Sequence, residues 1–159
     1  MKHRLPFPLH IPFVEKLGLE LWAFGDGQAE LRLHLDPAHL NHLQVAHGGV
    51  LMTMLDVAMA HAARSVHATA DDVGPGVVTI DLKSSFMRPA KGRLRATGTL
   101  LHRTANLAFA EGSVFDDAGH RCAHATATFK YLRALPGRGR ERKTLQTAAA
   151  PTDTTGAGE

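Results

Sequence analysis

Several features that would define a protein class are scarce in this chain of 159 residues. Cys122 is the only cysteine, which excludes a disulfide framework and favours a reducing cytoplasm. No apolar run reaches the roughly 18 residues of a membrane-spanning helix. Pro6, Pro8 and Pro12 interrupt the basic N-terminal segment where a secretory signal would need an apolar stretch. We therefore expect a cytoplasmic globular protein with no membrane partner.

The excess of positive charge is concentrated near the C-terminus. Residues 1–132 contain 13 Lys and Arg against 12 Asp and Glu, whereas residues 133–159 contain five against three. The last segment is rich in Gly, Pro, Thr and Ala and has few large apolar residues to offset the entropy cost of ordering. We expect one domain over residues 1–135 and a disordered tail over residues 136–159. No nucleic-acid partner is expected, because the folded part lacks a basic face with interleaved aromatics.

Hydropathy periodicity predicts a long helix and several strands. Residues 12–18 indicate a short helix or turn, and residues 19–24 and 28–35 alternate as in a strand hairpin. Residues 49–66 are apolar on nearly all sides without proline, which is typical of a buried helix. Four further strands, with connectors short enough for hairpins, are predicted at residues 76–87, 93–102, 106–116 and 120–132. The pattern predicts an α+β fold in which an antiparallel sheet wraps a central helix.

One carboxylate, Asp56, interrupts the apolar helix. An ionised carboxylate against apolar packing is unfavourable without partners, and burial raises its pKa. Two interpretations are open. Asp56 lies at the solvent edge or in a salt bridge, with Arg64 or Arg88 as the partner, or it belongs to a functional site.

The sequence His47-Gly48-Gly49 stands where this helix is predicted to begin. Glycines allow close approach of a ligand, and the free N–H groups of the first turn lie at the positive end of the helix dipole. The segment therefore predicts an oxyanion site. Asp56 lies two turns further on, about 12 Å along the helix axis. A site that uses both groups would need residues from two chains.

The pattern N-x5-HGG-x6-D, from Asn41 to Asp56, and the later segment TIDLKSSFMRPAKGRLRATG resemble the hotdog-fold acyl-CoA thioesterases of the phenylacetate-degradation (PaaI-like) type. The resemblance covers about residues 12–132. It implies a hotdog fold, a homodimer with a continuous sheet that assembles into a homotetramer, and active sites at the dimer interface. It also implies hydrolysis of an acyl-CoA to a carboxylate and CoA, with no cofactor and no metal.

The resemblance also implies a role for each matching residue. Gly48 would donate its backbone N–H to the thioester oxygen, with the amide of Asn41 assisting. Asp56 of the facing protomer would act as general base or as nucleophile. Thr79 lies where some relatives have a hydroxyl that orients the attacking water, or it is only a β-branched strand residue. His47 is expected to fix the loop geometry, with contact to the substrate as the alternative.

The CoA end of such a substrate carries phosphates. We expect Arg88 and Lys91, which flank Pro89, to bind them, and Gly49 to complete the substrate-binding set. A solvated connector is the alternative interpretation of the two cations. The acyl group, aromatic or of medium chain length, would depend on the pocket walls, for which the candidates are Met52, Met54, Met59 and Phe86.

Two other functions are considered. A hotdog hydratase or dehydratase would need an acid and histidine pair, but His61 is predicted to point away from Asp56. A noncatalytic acyl-CoA sensor would keep the pocket without needing that acid. A metal site at His39, His42 and His47 is disfavoured, because this loop lacks a helical i, i+4 histidine pair with a nearby carboxylate.

Overall fold

The computed structural model describes residues 3–69 and 71–132, and its elements follow the predicted periodicity. The helices are α1 (Pro12–Lys16) and α2 (Gly48–Ser65). The strands are β1 (Glu20–Gly25), β2 (Gln28–His34), β3 (Gly76–Phe86), β4 (Arg93–Arg103), β5 (Leu107–Phe115) and β6 (Arg121–Leu132). In the described residues, the strands form one antiparallel sheet in the order β1-β2-β4-β5-β6-β3. The α+β prediction is confirmed.

Helix α2 forms the core because one of its faces is continuously apolar and lies on the sheet. Met54, Leu55 and Met59 are completely buried, and each such side chain contributes about 1.5–3 kcal/mol by leaving water. The helix and sheet backbones come into direct contact at Gly98 of β4, where a Cβ atom would overlap the carbonyl of Ala58. The opposite face of α2, which includes Asp56, is only partly covered.

The turn between β1 and β2 is tied to the end of α2. Asp26 and Gly27 have φ angles of 51° and 74°, as in the type I′ turn that matches the twist of a hairpin. The hairpin predicted from Gly-Asp-Gly is therefore confirmed. The Gly27 N–H donates to Ser65 Oγ at 2.9 Å, so the last residue of α2 is anchored to the sheet.

The prediction of a hairpin between β3 and β4 is wrong. β3 pairs along its length with β6, whereas β4 lies between β2 and β5. The intervening residues 87–92 run past the start of α2, where Ala90 is 1% exposed and accepts a hydrogen bond from the Ala46 N–H at 2.9 Å. A short connector with Pro and Gly predicts a change of direction, but it does not determine which strand becomes the partner.

β3 is one edge of the described sheet, and it exposes apolar as well as polar side chains. Val78 is 42% exposed and Ile80 is 59% exposed, which leaves both side chains open on the strand. At the other edge, β1 receives a single bridge from Leu5 to Leu21. The predicted disordered tail, residues 136–159, lies outside the described residues. Within them, neither helix is both long and apolar enough to span a bilayer.

Candidate active site

The start of α2 is organised by His47. Its Nδ1 accepts the Gly49 N–H at 3.0 Å, so the imidazole caps the helix. His47 has extended backbone dihedrals (φ −61°, ψ 138°) and donates its own N–H to the His39 carbonyl at 2.8 Å. Among the described residues, the Gly48 N–H meets no acceptor. The cap thus leaves one donor at the positive end of the helix dipole available for a ligand.

Asn41 shapes the loop that leads to this helix start. Its Oδ1 accepts the Leu43 N–H at 2.9 Å and the Val45 N–H at 3.4 Å. No acceptor for its amide NH2 group is found in the described part of the chain. Asn41 and Gly48 line one groove of about 350 Å³, together with Arg88. Two uncommitted donors and a cation therefore share this groove.

Asp56 and Thr79 meet at a second concave site. The Thr79 hydroxyl donates to Asp56 Oδ1 at 2.7 Å, and both residues line a mainly apolar cavity of about 560 Å³. Burial raises the pKa of the Asp56 carboxyl above its usual range, and the hydrogen bond from Thr79 opposes this rise. A carboxylate that is short of polar partners in an apolar cavity is a stronger base than one in water.

The salt-bridge interpretation of Asp56 is wrong. Arg64 donates through Nη2 to the Gly74 carbonyl at 3.2 Å, and Arg88 donates through Nη1 to the Arg121 carbonyl at 2.9 Å. No cation lies within ion-pairing distance of Asp56 in the described residues. The carboxylate is therefore available for chemistry.

The two concave sites are separate within one chain. Gly48 and Asp56 stand on the same helix about 12 Å apart along its axis, and they line different depressions. We call the Asn41 and Gly48 groove the donor half-site, and the Asp56 and Thr79 cavity the acid half-site. A single protomer does not bring its donor and its base to one reacting carbonyl.

His61 lines the acid half-site together with Asp56. The two residues nevertheless form no hydrogen bond. His61 Nδ1 bonds to the Val57 carbonyl at 2.8 Å, and burial lowers the pKa of His61 to about 4. Phe7 and Phe24 pack edge-on against its ring. The acid and histidine pair that a hydratase would use is not formed.

The remaining residues that the sequence analysis proposed for the site lie in different parts of the structure. Met52 lines the acid half-site, whereas Met54 and Met59 lie in the core and Phe86 lines the donor half-site. Lys91 is exposed on the connector after β3. His39 accepts the Asp36 N–H at 3.0 Å and so caps a short 3-10 helix. No cluster of three or more metal-binding side chains occurs in residues 3–69 and 71–132.

Sequence reasoning missed two parts of the acid half-site. Leu9, Ile11 and Phe13 line it from the N-terminal segment, and Arg64 lines it from the last turn of α2. The prolines in the N-terminal segment were used only to argue against a secretory signal, and they gave no sign of what the segment covers. The arginine near the end of an apolar helix was the available signal, and it was considered only as a salt-bridge partner.

Comparison with known proteins agrees with this fold. The thioesterase superfamily profile matches residues 43–123. The medium/long-chain acyl-CoA thioesterase YigI of Salmonella typhimurium is 30% identical over 135 residues, which cover 77% of this chain and 87% of that protein. The structure of the conserved protein PA5202 of Pseudomonas aeruginosa has a TM-score of 0.73 at 29% identity, covering 80% of this chain and 100% of that one. A variant of the phenylacetic acid degradation protein PaaI of Thermus thermophilus has a TM-score of 0.66 at 27% identity, covering 77% and 100%.

Proposed function

Because this chain belongs to the thioesterase superfamily of hotdog-fold proteins and is a thioester hydrolase, we propose that it hydrolyses acyl-CoA with Asp56 as its general base. The observation that carries the proposal is the Asp56 carboxylate, which stands in an apolar cavity with Thr79 as its hydrogen-bond donor and with no counter-cation among the described residues. The name of YigI supports an acyl group of medium or long chain, and the name of PaaI supports an aromatic one.

In the proposed mechanism, the reacting carbonyl lies between two protomers. The Gly48 N–H of one protomer, assisted by the Asn41 amide, stabilises the negative charge that develops on the thioester oxygen. Asp56 of the other protomer takes a proton from water, and the resulting hydroxide attacks the carbonyl carbon. The C–S bond then breaks, the CoA sulfur receives the proton, and a carboxylate is released. Direct attack by Asp56 on the carbonyl is the alternative route to the same products.

The open edge of β3 supports the dimer. An unpaired edge strand is a ready template for pairing with another chain, and both half-sites adjoin β3 through Thr79 and Phe86. Pairing two copies along β3 would extend the sheet and bring each donor half-site toward the partner's acid half-site. A homotetramer built from two such dimers is proposed by family resemblance.

The CoA nucleotide is proposed to bind at the donor half-site. Arg88 lines this groove beside Gly48, with Lys91 three residues further on the same connector. Arg and Lys make charge-assisted hydrogen bonds to phosphate. The pantetheine arm would then lead inward from these cations to the thioester at the start of α2.

The release of free CoA from a panel of acyl-CoA substrates tests the proposal. Phenylacetyl-, hydroxybenzoyl-, hexanoyl- and palmitoyl-CoA are compared with wild type and with Asp56→Ala. We expect wild type to hydrolyse at least one of them and Asp56→Ala to lose roughly a hundredfold or more in kcat, as for a lost acid-base group. Full activity of the folded Asp56→Ala variant would exclude Asp56 as the base.

A further inference from the structure

Arg64 is a buried cation that lines the acid half-site. It stands in the last turn of α2, its side chain is 5% exposed, and it lines the same cavity as Asp56. Removing a guanidinium from water is costly, and buried arginines are almost always paired with a carboxylate. The partners of this arginine therefore require an explanation.

The described residues provide Arg64 with no carboxylate. Nη2 donates to the Gly74 carbonyl at 3.2 Å, while Nε is buried without an acceptor. No Asp or Glu lies within 4.0 Å of the guanidinium in this part of the chain, and Asp72 acts on it only through a longer-range attraction. His61, its neighbour in the cavity wall, bonds to the Val57 carbonyl and offers no negative charge.

Asp56 and Arg64 line one mainly apolar cavity. The two residues are separated by two turns of α2, or about 12 Å along the axis. The apolar residues that line this cavity with them include Ile11, Val57, Ala60, Val77 and Leu82. A ligand whose thioester lies at Asp56 can therefore extend a chain of methylene groups along this wall and end at the guanidinium.

From this arrangement we propose that the acyl group carries a distal carboxylate that pairs with Arg64, which makes the substrate a medium-length dicarboxylic acyl-CoA. The inference rests on the proposed thioesterase function and specifies its substrate class. The planar guanidinium matches a carboxylate through two parallel hydrogen bonds. A neutral acyl chain would leave the buried charge without a partner, whereas a dicarboxylic chain supplies the missing anion.

A purely structural role for Arg64 makes a different prediction. Its hydrogen bond to Gly74, which has a φ of 76°, could serve only to hold the loop between α2 and β3. Loss of that support would weaken turnover of all substrates by a similar factor. The discriminating quantity is therefore the ratio of kcat/KM values for substrates that differ only in the distal group.

Adipoyl-CoA is compared with hexanoyl-CoA, and suberoyl-CoA with octanoyl-CoA, because the two members of each pair have equal chain length. The comparison uses the full-length wild type, Arg64→Leu, Arg64→Lys and the surface control Arg4→Leu. We expect wild type and Arg4→Leu to prefer the dicarboxylic member of at least one pair. Arg64→Leu should reduce that preference roughly 10- to 100-fold, the value of a lost hydrogen bond to a charged group. Arg64→Lys should keep part of the preference.

A wild type that hydrolyses the neutral members as well as the dicarboxylic ones overturns the inference, and so does an Arg64→Leu variant that changes both members of each pair equally. If Arg64→Leu does not fold, the wild-type preference and the Arg64→Lys ratio decide. A folded wild type that hydrolyses none of the four substrates, nor any in the first panel, overturns the thioesterase proposal itself. That outcome is distinct from hydrolysis without preference.

Discussion

The reactivity of Asp56 depends on a single neighbouring hydroxyl. Burial raises the pKa of the carboxyl, and the Thr79 hydrogen bond lowers it. The sequence leaves open whether Thr79 only favours strand formation or also contacts the acid. The 2.7 Å contact makes it a positioning residue for the proposed base.

Replacement of Thr79 should therefore move the acid limb of the pH profile. The ionised carboxylate is the active form, so kcat/KM should fall as pH decreases through the pKa of Asp56. Thr79→Val removes a hydrogen bond to that ionised form, which raises the pKa and moves the limb to higher pH. Profiles of kcat/KM against pH for wild type, Thr79→Val and Thr79→Ser measure the shift. A limb that stays in place in Thr79→Val, or moves to lower pH, contradicts the role of the hydroxyl.

The proposed oxyanion donor can be removed with little change in the backbone. Gly48 is the first residue of α2, where proline is well tolerated, and His47 has the extended conformation that precedes proline. Gly48→Pro deletes the N–H, and we expect it to lower kcat about 10²–10³-fold. Gly48→Ala retains the N–H, and its Cβ would meet the Phe86 ring at an ordinary 3.7 Å. Equal losses in the two folded variants would indicate a steric effect instead.

At the level of helices and strands, the sequence predicted the positions of the elements better than it predicted which strands pair. Element positions follow from hydropathy period, which nearby residues determine, and the bounds of α2 differ from the prediction by one residue at each end. Pairing depends on residues far apart in sequence. Residues 87–92 have the composition of a turn, yet burial of Ala90 under the start of α2 leads the chain away from β3. Likewise, no local sequence pattern predicted that Thr79 would lie beside Asp56.

Because the backbones of α2 and β4 are in direct contact, one added methyl group at this contact is expected to lower the stability strongly. Gly98→Ala would place its Cβ on the Ala58 carbonyl, and neither a strand nor a helix backbone can move aside easily. We expect the free energy of unfolding to fall by at least about 2 kcal/mol. Gly25→Ala is the matched control, since no atom lies within 4 Å of its added Cβ. Urea denaturation of both variants measures the difference, and similar stabilities would contradict the close packing.

For the whole molecule, the separation of the two half-sites is the main consequence of the fold. The motif spacing already implied that one chain could not supply both groups to one carbonyl. The structure adds that each group lines its own depression. The sequence could not reveal the contents of the acid half-site, because its walls come from the N-terminal segment, α2 and β3.

Complementation between inactive variants tests the two-chain site. Asp56→Asn and Gly48→Pro are mixed under conditions that exchange subunits. A mixed dimer would contain one intact site and one doubly defective site, so random exchange should restore about one quarter of the wild-type specific activity. A mixture of Asp56→Asn with the double variant Asp56→Asn/Gly48→Pro should remain inactive. No recovery in exchanged mixed dimers would place the complete site within one chain.

The pairing of β3 with β6 also has a consequence for biosynthesis. Because the ribosome makes the chain from its N-terminus, β3 emerges while β6, 35 residues further on, is still being synthesised. During that interval, β3 lacks its ladder partner β6. Long-range pairing of this kind is slow and prone to aggregation. We therefore expect the sheet to close only late in translation, and the nascent protein to depend on chaperones until it does.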